Sequence, residues 1–274
     1  MKVIRLSTLN GQLLLTMLAE QLEKISFILQ CNTDGVTIKI HKSKIDEMRR
    51  IIKWWEDLTQ LELEDADYKS MIIRDVNNYS AIYTNGKVKR KGTFEVDKEM
   101  KGELQYHKDH SSRVVALAVN EYFVNGKPVR DTVLNHLNNG DYGPLKNHGI
   151  YDFCIGKKTK GGKKGKPDMI FKEMINGEIR ETKLQKTNRY YICKSGGQLV
   201  KRYREMKYDK ELRKDIEVIS ESTFEVHPQK GRYYKVKPFN NYEESDDYKI
   251  DYNYYTREAN KIINSVVDFN YSLF

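Results

Sequence analysis

Residues 26–40 constrain the fold more than any other stretch, because two short apolar runs there are joined by only four polar residues. Residues 27–29 and 36–40 flank the tip Asn32-Thr33-Asp34-Gly35. Asn, Asp and Gly tolerate positive φ and serve tight connections, so the pattern predicts a β-hairpin. Any fold for this chain must then contain antiparallel strands. A two-strand support also holds the side chains at its tip still. Asp34 is therefore a candidate ligand for a divalent cation, which prefers oxygen donors in fixed positions. The plainer reading makes Asp34 a turn former and nothing more.

Helical patterns surround the hairpin. Leu13, Leu14, Met17, Leu18, Leu22 and Ile25 recur at helical spacing, with Thr8 or Asn10 as a cap. Ser43, followed three residues later by Asp46, opens a second helix whose buried face holds Ile45, Met48, Ile51, Ile52 and Trp55. Trp54 is expected beside that face and partly exposed. Strands follow over 71–74, 79–83 and 87–94, with Asn85-Gly86 as the clearest turn. Lys87, Lys89, Arg90 and Lys91 crowd the last of these. Side chains alternate along a strand, so these cations divide between two faces. One face could line a phosphate backbone, and the bland alternative is a solvated edge strand.

Residues 95–110 are polar and read as a connector, dividing the chain into 1–110 and 111–274. A helix is expected over 113–124, burying Val115, Ala118, Val119 and Tyr122 and stopped by Asn125-Gly126. A shorter helix follows over 129–137. Residues 156–166 hold six lysines, four glycines and no acid, and predict a loop that seeks phosphate or is simply solvated. Two hairpins are expected next. One turns at Asn176-Gly177, and the other runs from 189–192 through Gly196-Gly197 to 199–200. A final helix spans about 255–267, with Ile262, Ile263, Val266 and Val267 on its apolar face. Together the elements predict an α+β fold.

The chain has 274 residues, 39% hydrophobic and 32% charged, which allows one large or two ordinary domains and argues against disorder. Its formal charge of +9 favours a polyanionic partner, nucleic acid being the commonest. The 19 tyrosines interleave with the basic segments, as stacking on bases or sugars requires, though tyrosine also suits half-buried strands. No apolar run reaches the length of a membrane span, and the first residues lack the apolar core of a signal peptide, so a cytoplasmic location is expected. Three scattered cysteines exclude a disulfide framework or a cysteine zinc site.

Two constellations carry candidate chemistry. Pro167-Asp168 followed by Glu181-Thr182-Lys183 resembles the Pro-Asp … Glu-x-Lys signature of a large nuclease superfamily. That resemblance implies that Asp168 and Glu181 hold a metal while Lys183 positions water. No preceding helix supplies a further acid.

The other constellation is longer. Gly11-Gln12-Leu13-Leu14-Leu15, the Asn32-Thr33-Asp34-Gly35 hairpin, a helix, the Asn77-Asn78-Tyr79 strand and Lys91-Gly92 occur in this order. The arrangement resembles the second half of the palm of family B DNA polymerases, particularly the bacteriophage type. The family's hairpin carries Asp-Thr-Asp, and Asp34 matches the second aspartate, which binds both catalytic metals. Asn32 stands where the first aspartate would be, and Gly35 where serine is usual. Tyr79 matches the tyrosine of a Lys-x-Tyr strand that steadies the primer end, the lysine being replaced by Asn77. Lys91-Gly92, with Lys89 two positions before, matches a Lys-Gly pair facing the primer backbone.

The resemblance implies a partial palm over 1–110 and a mixed helical and β thumb over 111–274. It also implies two Mg²⁺ ions, a DNA primer–template and deoxynucleoside triphosphates. Asp34 is assigned to the metals. Thr33, Tyr79, Lys89, Lys91 and Gly92 are assigned to primer or DNA. The family's first palm motif, fingers lysine and exonuclease carboxylates find no match. The expectation is a C-terminal polymerase fragment, inactive alone, whose N-terminal partner brings the exonuclease, the fingers and the first palm aspartate. If a phage encodes it, its place is the host cytoplasm. The alternatives are the metal-dependent nuclease and a non-catalytic basic nucleic-acid-binding module.

Overall fold

A computed structural model of the chain describes residues 2–96, 99–100, 103–104, 111–138, 149–158, 166–209, 211–241, 243, 245 and 247–271. The fold is α+β, and every paired strand is antiparallel. The chain divides into two units, Met1–Phe94 with Phe269–Phe274, and Glu95–Asp268. The division falls at the start of the polar connector, ahead of the boundary drawn at 110. No helix among the described residues is long and apolar enough to cross a membrane.

The first unit opens with α1 (Lys2–Leu22), the β1–β2 hairpin (Phe27–Cys31, Val36–Lys39) and α2 (Ile45–Thr59). Helix α1 begins well before the apolar repeat, so Thr8 and Asn10 lie inside it rather than capping it. Its inner face, Leu15, Leu18 and Leu22, packs with Trp55 of α2 and with Val36 and Ile38 of the hairpin. The indole N–H of Trp55 donates to the Leu14 carbonyl at 2.8 Å, tying the two helices together. Trp54 is 43% exposed and Trp55 3%, as the helical spacing requires. Ser43 does not cap α2. It belongs to a 3₁₀ turn (Lys42–Lys44), where its N–H donates to His41 Nδ1 at 3.3 Å.

A three-stranded sheet follows in the order β3 (Tyr68–Asp75), β4 (Asn78–Tyr83), β5 (Val88–Lys91). Gly86 takes φ +83 in the β4–β5 turn. A 3₁₀ turn, Gly92–Phe94, ends the unit and buries Phe94.

In the second unit a two-residue pair, β6 (Glu99–Met100) and β7 (Glu103–Leu104), precedes α3 (Arg113–Asn125) and α4 (Val129–Asn135). Gly126 at φ +66 closes α3. Tyr122 is 39% exposed rather than buried, and Asn120 takes the interior instead. Next come β8 (Ile155–Lys158), β9 (Asp168–Ile175), β10 (Glu178–Leu184), β11 (Thr187–Asp209), β12 (Lys214–Thr223), β13 (Val236–Pro238) and α5 (Tyr252–Tyr271). Asn176 and Gly177 both have positive φ, which a two-residue β9–β10 turn of the favoured hand demands.

The expected hairpin at Gly196-Gly197 is not formed. β11 runs unbroken for 23 residues. Its first part pairs with β8 and β13, and its second with β9 and β12. The two glycines sit where the pairing changes. A Cβ on Gly197 would strike the Lys172 carbonyl and lie 2.7 Å from the Phe171 ring. Their small size serves close backbone approach, not chain reversal. Tyr255 of α5 closes the gap in the ladder: its hydroxyl accepts the Ile192 N–H at 2.9 Å and donates to the Phe153 carbonyl at 2.7 Å. Helix α5 buries Tyr255, Ala259, Ile263 and Val266, while the Val267 side chain lies outside those described.

Candidate metal and nucleic-acid site

The hairpin tip has the expected place and a different closure. Cys31 pairs with Val36, and the Asn32 N–H donates to the Gly35 carbonyl at 3.0 Å. None of residues 32–35 takes positive φ. Thr33 and Asp34 are exposed. Among the described residues Asp34 has no hydrogen-bond or ion-pair partner. Its carboxylate is thus free for an external partner. Among the described residues no group of three or more His, Cys, Asp or Glu is arranged to hold a metal ion. One carboxylate fits one corner of a Mg²⁺ coordination shell, and a bound ion would need further ligands beside it.

The β3–β5 register sorts the cations. Tyr79 stands opposite Lys91, Ser80 opposite Arg90, and Ala81 opposite Lys89. Lys89 and Lys91 therefore share a face with Tyr79, and Arg90 points the other way. Tyr79 is only 5% exposed, so it is largely a packed side chain rather than an open stacking platform. Lys91 Nζ stands 6.0 Å from the centroid of the Tyr79 ring. Among the described residues neither Lys89 nor Lys91 has a carboxylate partner. Gly92, directly after Lys91, takes φ +64.

Sequence reading missed the turn that supports these residues. Asp75 accepts the Asn77 N–H at 2.9 Å and the Asn78 side-chain amide at 2.8 and 3.0 Å. Asn78 and Asn77 hydrogen bonds hold the Asp75 carboxyl below the usual range for aspartate. The oxygen of the Asn78 side chain accepts the Thr93 N–H at 2.9 Å. An aspartate two and three residues before amide donors is a recognisable Asx-turn pattern, which gives the signal that was available.

The second constellation is a different kind of surface. Lys183 stands opposite Ile170, and Glu181 opposite Lys172. This alternation places Asp168, Glu181 and Lys183 on one sheet face. All three are engaged. Lys183 Nζ is 2.8 Å from Asp168, and Arg204 lies 3.9 Å from the same carboxylate. Glu181 receives Arg202 at 2.7 Å and Lys172 at 3.1 Å, and both cations also reach Glu221 at 2.6 Å. Arg202 first, then Lys172, holds the Glu181 carboxyl below its ordinary value. Carboxylates so neutralised are poor metal ligands, because a cation must first displace the ammonium or guanidinium.

Of the lysine-rich segment, residues 159–165 lie outside those described. Its start is not a loop. Gly156, Lys157 and Lys158 belong to β8 and pair with Arg189, Asn188 and Thr187.

Comparison with protein-family models, curated proteins and solved structures finds no match to this chain.

Proposed function

We propose that the chain is the C-terminal part of a DNA-directed DNA polymerase of family B type, completed by a separate N-terminal fragment. The observation that carries this reading is the uncommitted Asp34 carboxylate at the end of a short, packed hairpin. The order of the resembling motifs and the unpaired Lys89 and Lys91 beside Tyr79 support it.

In this reading Asp34 holds Mg²⁺, and the partner fragment brings the other carboxylate. Bound there, Mg²⁺ would supply activation of the primer 3′-hydroxyl and charge stabilisation on the pyrophosphate leaving group. Asp34 contributes a fixed negative site at no cost to the fold, since it leaves no partner behind. Lys89 and Lys91 each meet a primer phosphate as a point charge. Tyr79, packed under Lys91, sets the height of that ammonium over the sheet. In this reading Thr33 and Gly92 are also assigned to primer or DNA contact.

Primer extension by the chain mixed with the product of the reading frame immediately upstream tests this proposal. The expected result is Mg²⁺-dependent extension by the mixture, none by the chain alone, and loss with Asp34→Ala. Extension that survives Asp34→Ala, or a mixture that never extends, removes the reading. Cleavage of plain duplex by this chain alone, lost on Asp168→Ala, would instead select the nuclease. DNA binding indifferent to both Mg²⁺ and Asp34, without extension, would select a binding module.

A further inference from the structure

We propose that Asn78 is a positioning residue that fixes the reach of Lys91 toward a nucleic-acid phosphate. The inference rests on the reading of Lys91 given above. Lysine is a flexible point charge, so its target is set by where its backbone is held. Two ties hold it here. Lys91 pairs across the ladder with Tyr79, and Thr93, two residues further on, is bound to the β3–β4 turn through Asn78.

Opposite Asp75, the tie asks for a side chain that both donates and accepts. Asp75 can only accept and the Thr93 N–H can only donate, so the group between them needs a donor at one end and an acceptor at the other. The Asn78 amide meets both, donating to Asp75 at 2.8 Å and accepting from Thr93 at 2.9 Å. Gly92 completes the fit. With φ +64, a Cβ there would strike Asn78 Oδ1 and the Asn77 carbonyl. The junction after Lys91 is thus seated against the turn before Tyr79.

Asn78→Asp is the near-isosteric probe. It keeps the oxygen for Thr93 but sets a second carboxylate against Asp75. The double variant Asp75→Asn with Asn78→Asp exchanges donor and acceptor and restores the tie. The measurement is fluorescence anisotropy of the full chain with a primed DNA oligonucleotide, titrated over a range of NaCl concentrations. Lys91→Ala is expected to weaken binding roughly 3–10-fold and to lower the slope of log affinity against log salt by about 0.9. Asn78→Asp is expected to produce a similar loss alone, no further loss on top of Lys91→Ala, and recovery in the exchanged double variant.

A loss that persists in full on the Lys91→Ala background overturns the proposal, because Asn78 then acts elsewhere. So does a lowered melting point with unchanged affinity and slope, the mark of a turn brace alone. If Lys91→Ala weakens binding and Asn78→Asp does not, this proposal falls while the reading of Lys91 stands. If Lys91→Ala itself changes nothing, both fall. Should Asn78→Asp fail to fold, Asp75→Ala on the exposed turn supplies the same non-additivity readout.

Discussion

At the scale of single residues, the informative distinction is between charges that are spent and charges that are not. Asp152 is spent in the interior. It accepts Arg113 at 3.1 Å and His136 at 2.7 Å, and all three side chains are under 10% exposed. Breaking a buried, hydrogen-bonded ion pair such as Arg113–Asp152 is strongly destabilising, and Asp152→Ala should cost about 3–5 kcal/mol. Denaturant unfolding of the variant checks this, and a change below about 1 kcal/mol would mean that water reaches the site. Asp168 and Glu181 are spent on the surface, in pairs that no pattern of residue types discloses. Their motif was legible and their engagement was not, since a salt bridge depends on which strands become neighbours. Tyr79 shows the same limit. Its place in a strand was readable, but its burial follows from what packs over the sheet.

Among the elements, β11 is the instructive one. Gly-Gly between two apolar runs reads as a turn, because glycine most often relieves positive φ. Here neither glycine has positive φ, and both serve closeness. The two uses share one residue type, so sequence alone does not separate them. Asn176-Gly177 and Asn85-Gly86 were legible because an amide next to glycine favours the left-handed turn. The contrast is measurable. Gly197→Ala forces a Cβ into the backbone of β9 and should destabilise by about 3 kcal/mol, near the upper end for overpacking. Gly177→Ala meets open space at φ +85 and should cost only about 1 kcal/mol of backbone strain. Equal losses in urea midpoint would place the two glycines in the same role.

For the whole molecule, net charge predicted a polyanionic partner but not where the cations are free. The β9–β12 sheet is close to self-neutralising, through Lys172, Arg202, Glu181 and Glu221. Among the described residues, Lys89 and Lys91 of the β3–β5 sheet meet no carboxylate. One consequence is acid lability. Lys172 and Arg202 depress Glu221, and Arg202 and Lys172 depress Glu181, from an ordinary value of 4.5. A carboxyl with a lowered folded-state pKa stabilises fully above its unfolded value and loses that contribution as pH falls through the folded one. Melting temperature should therefore drop below about pH 4.5. The gap between wild type and Arg202→Met should also narrow there. A gap that stays constant from pH 7 to 3 would show that these ion pairs carry no linked protons.

The idle carboxylate of Asp34 has a practical corollary. No described residue leans on it, so a variant lacking it should melt, migrate and scatter like its parent. Any deficit it shows can then be charged to what the acid does for a visitor, without the usual suspicion that the scaffold has been harmed.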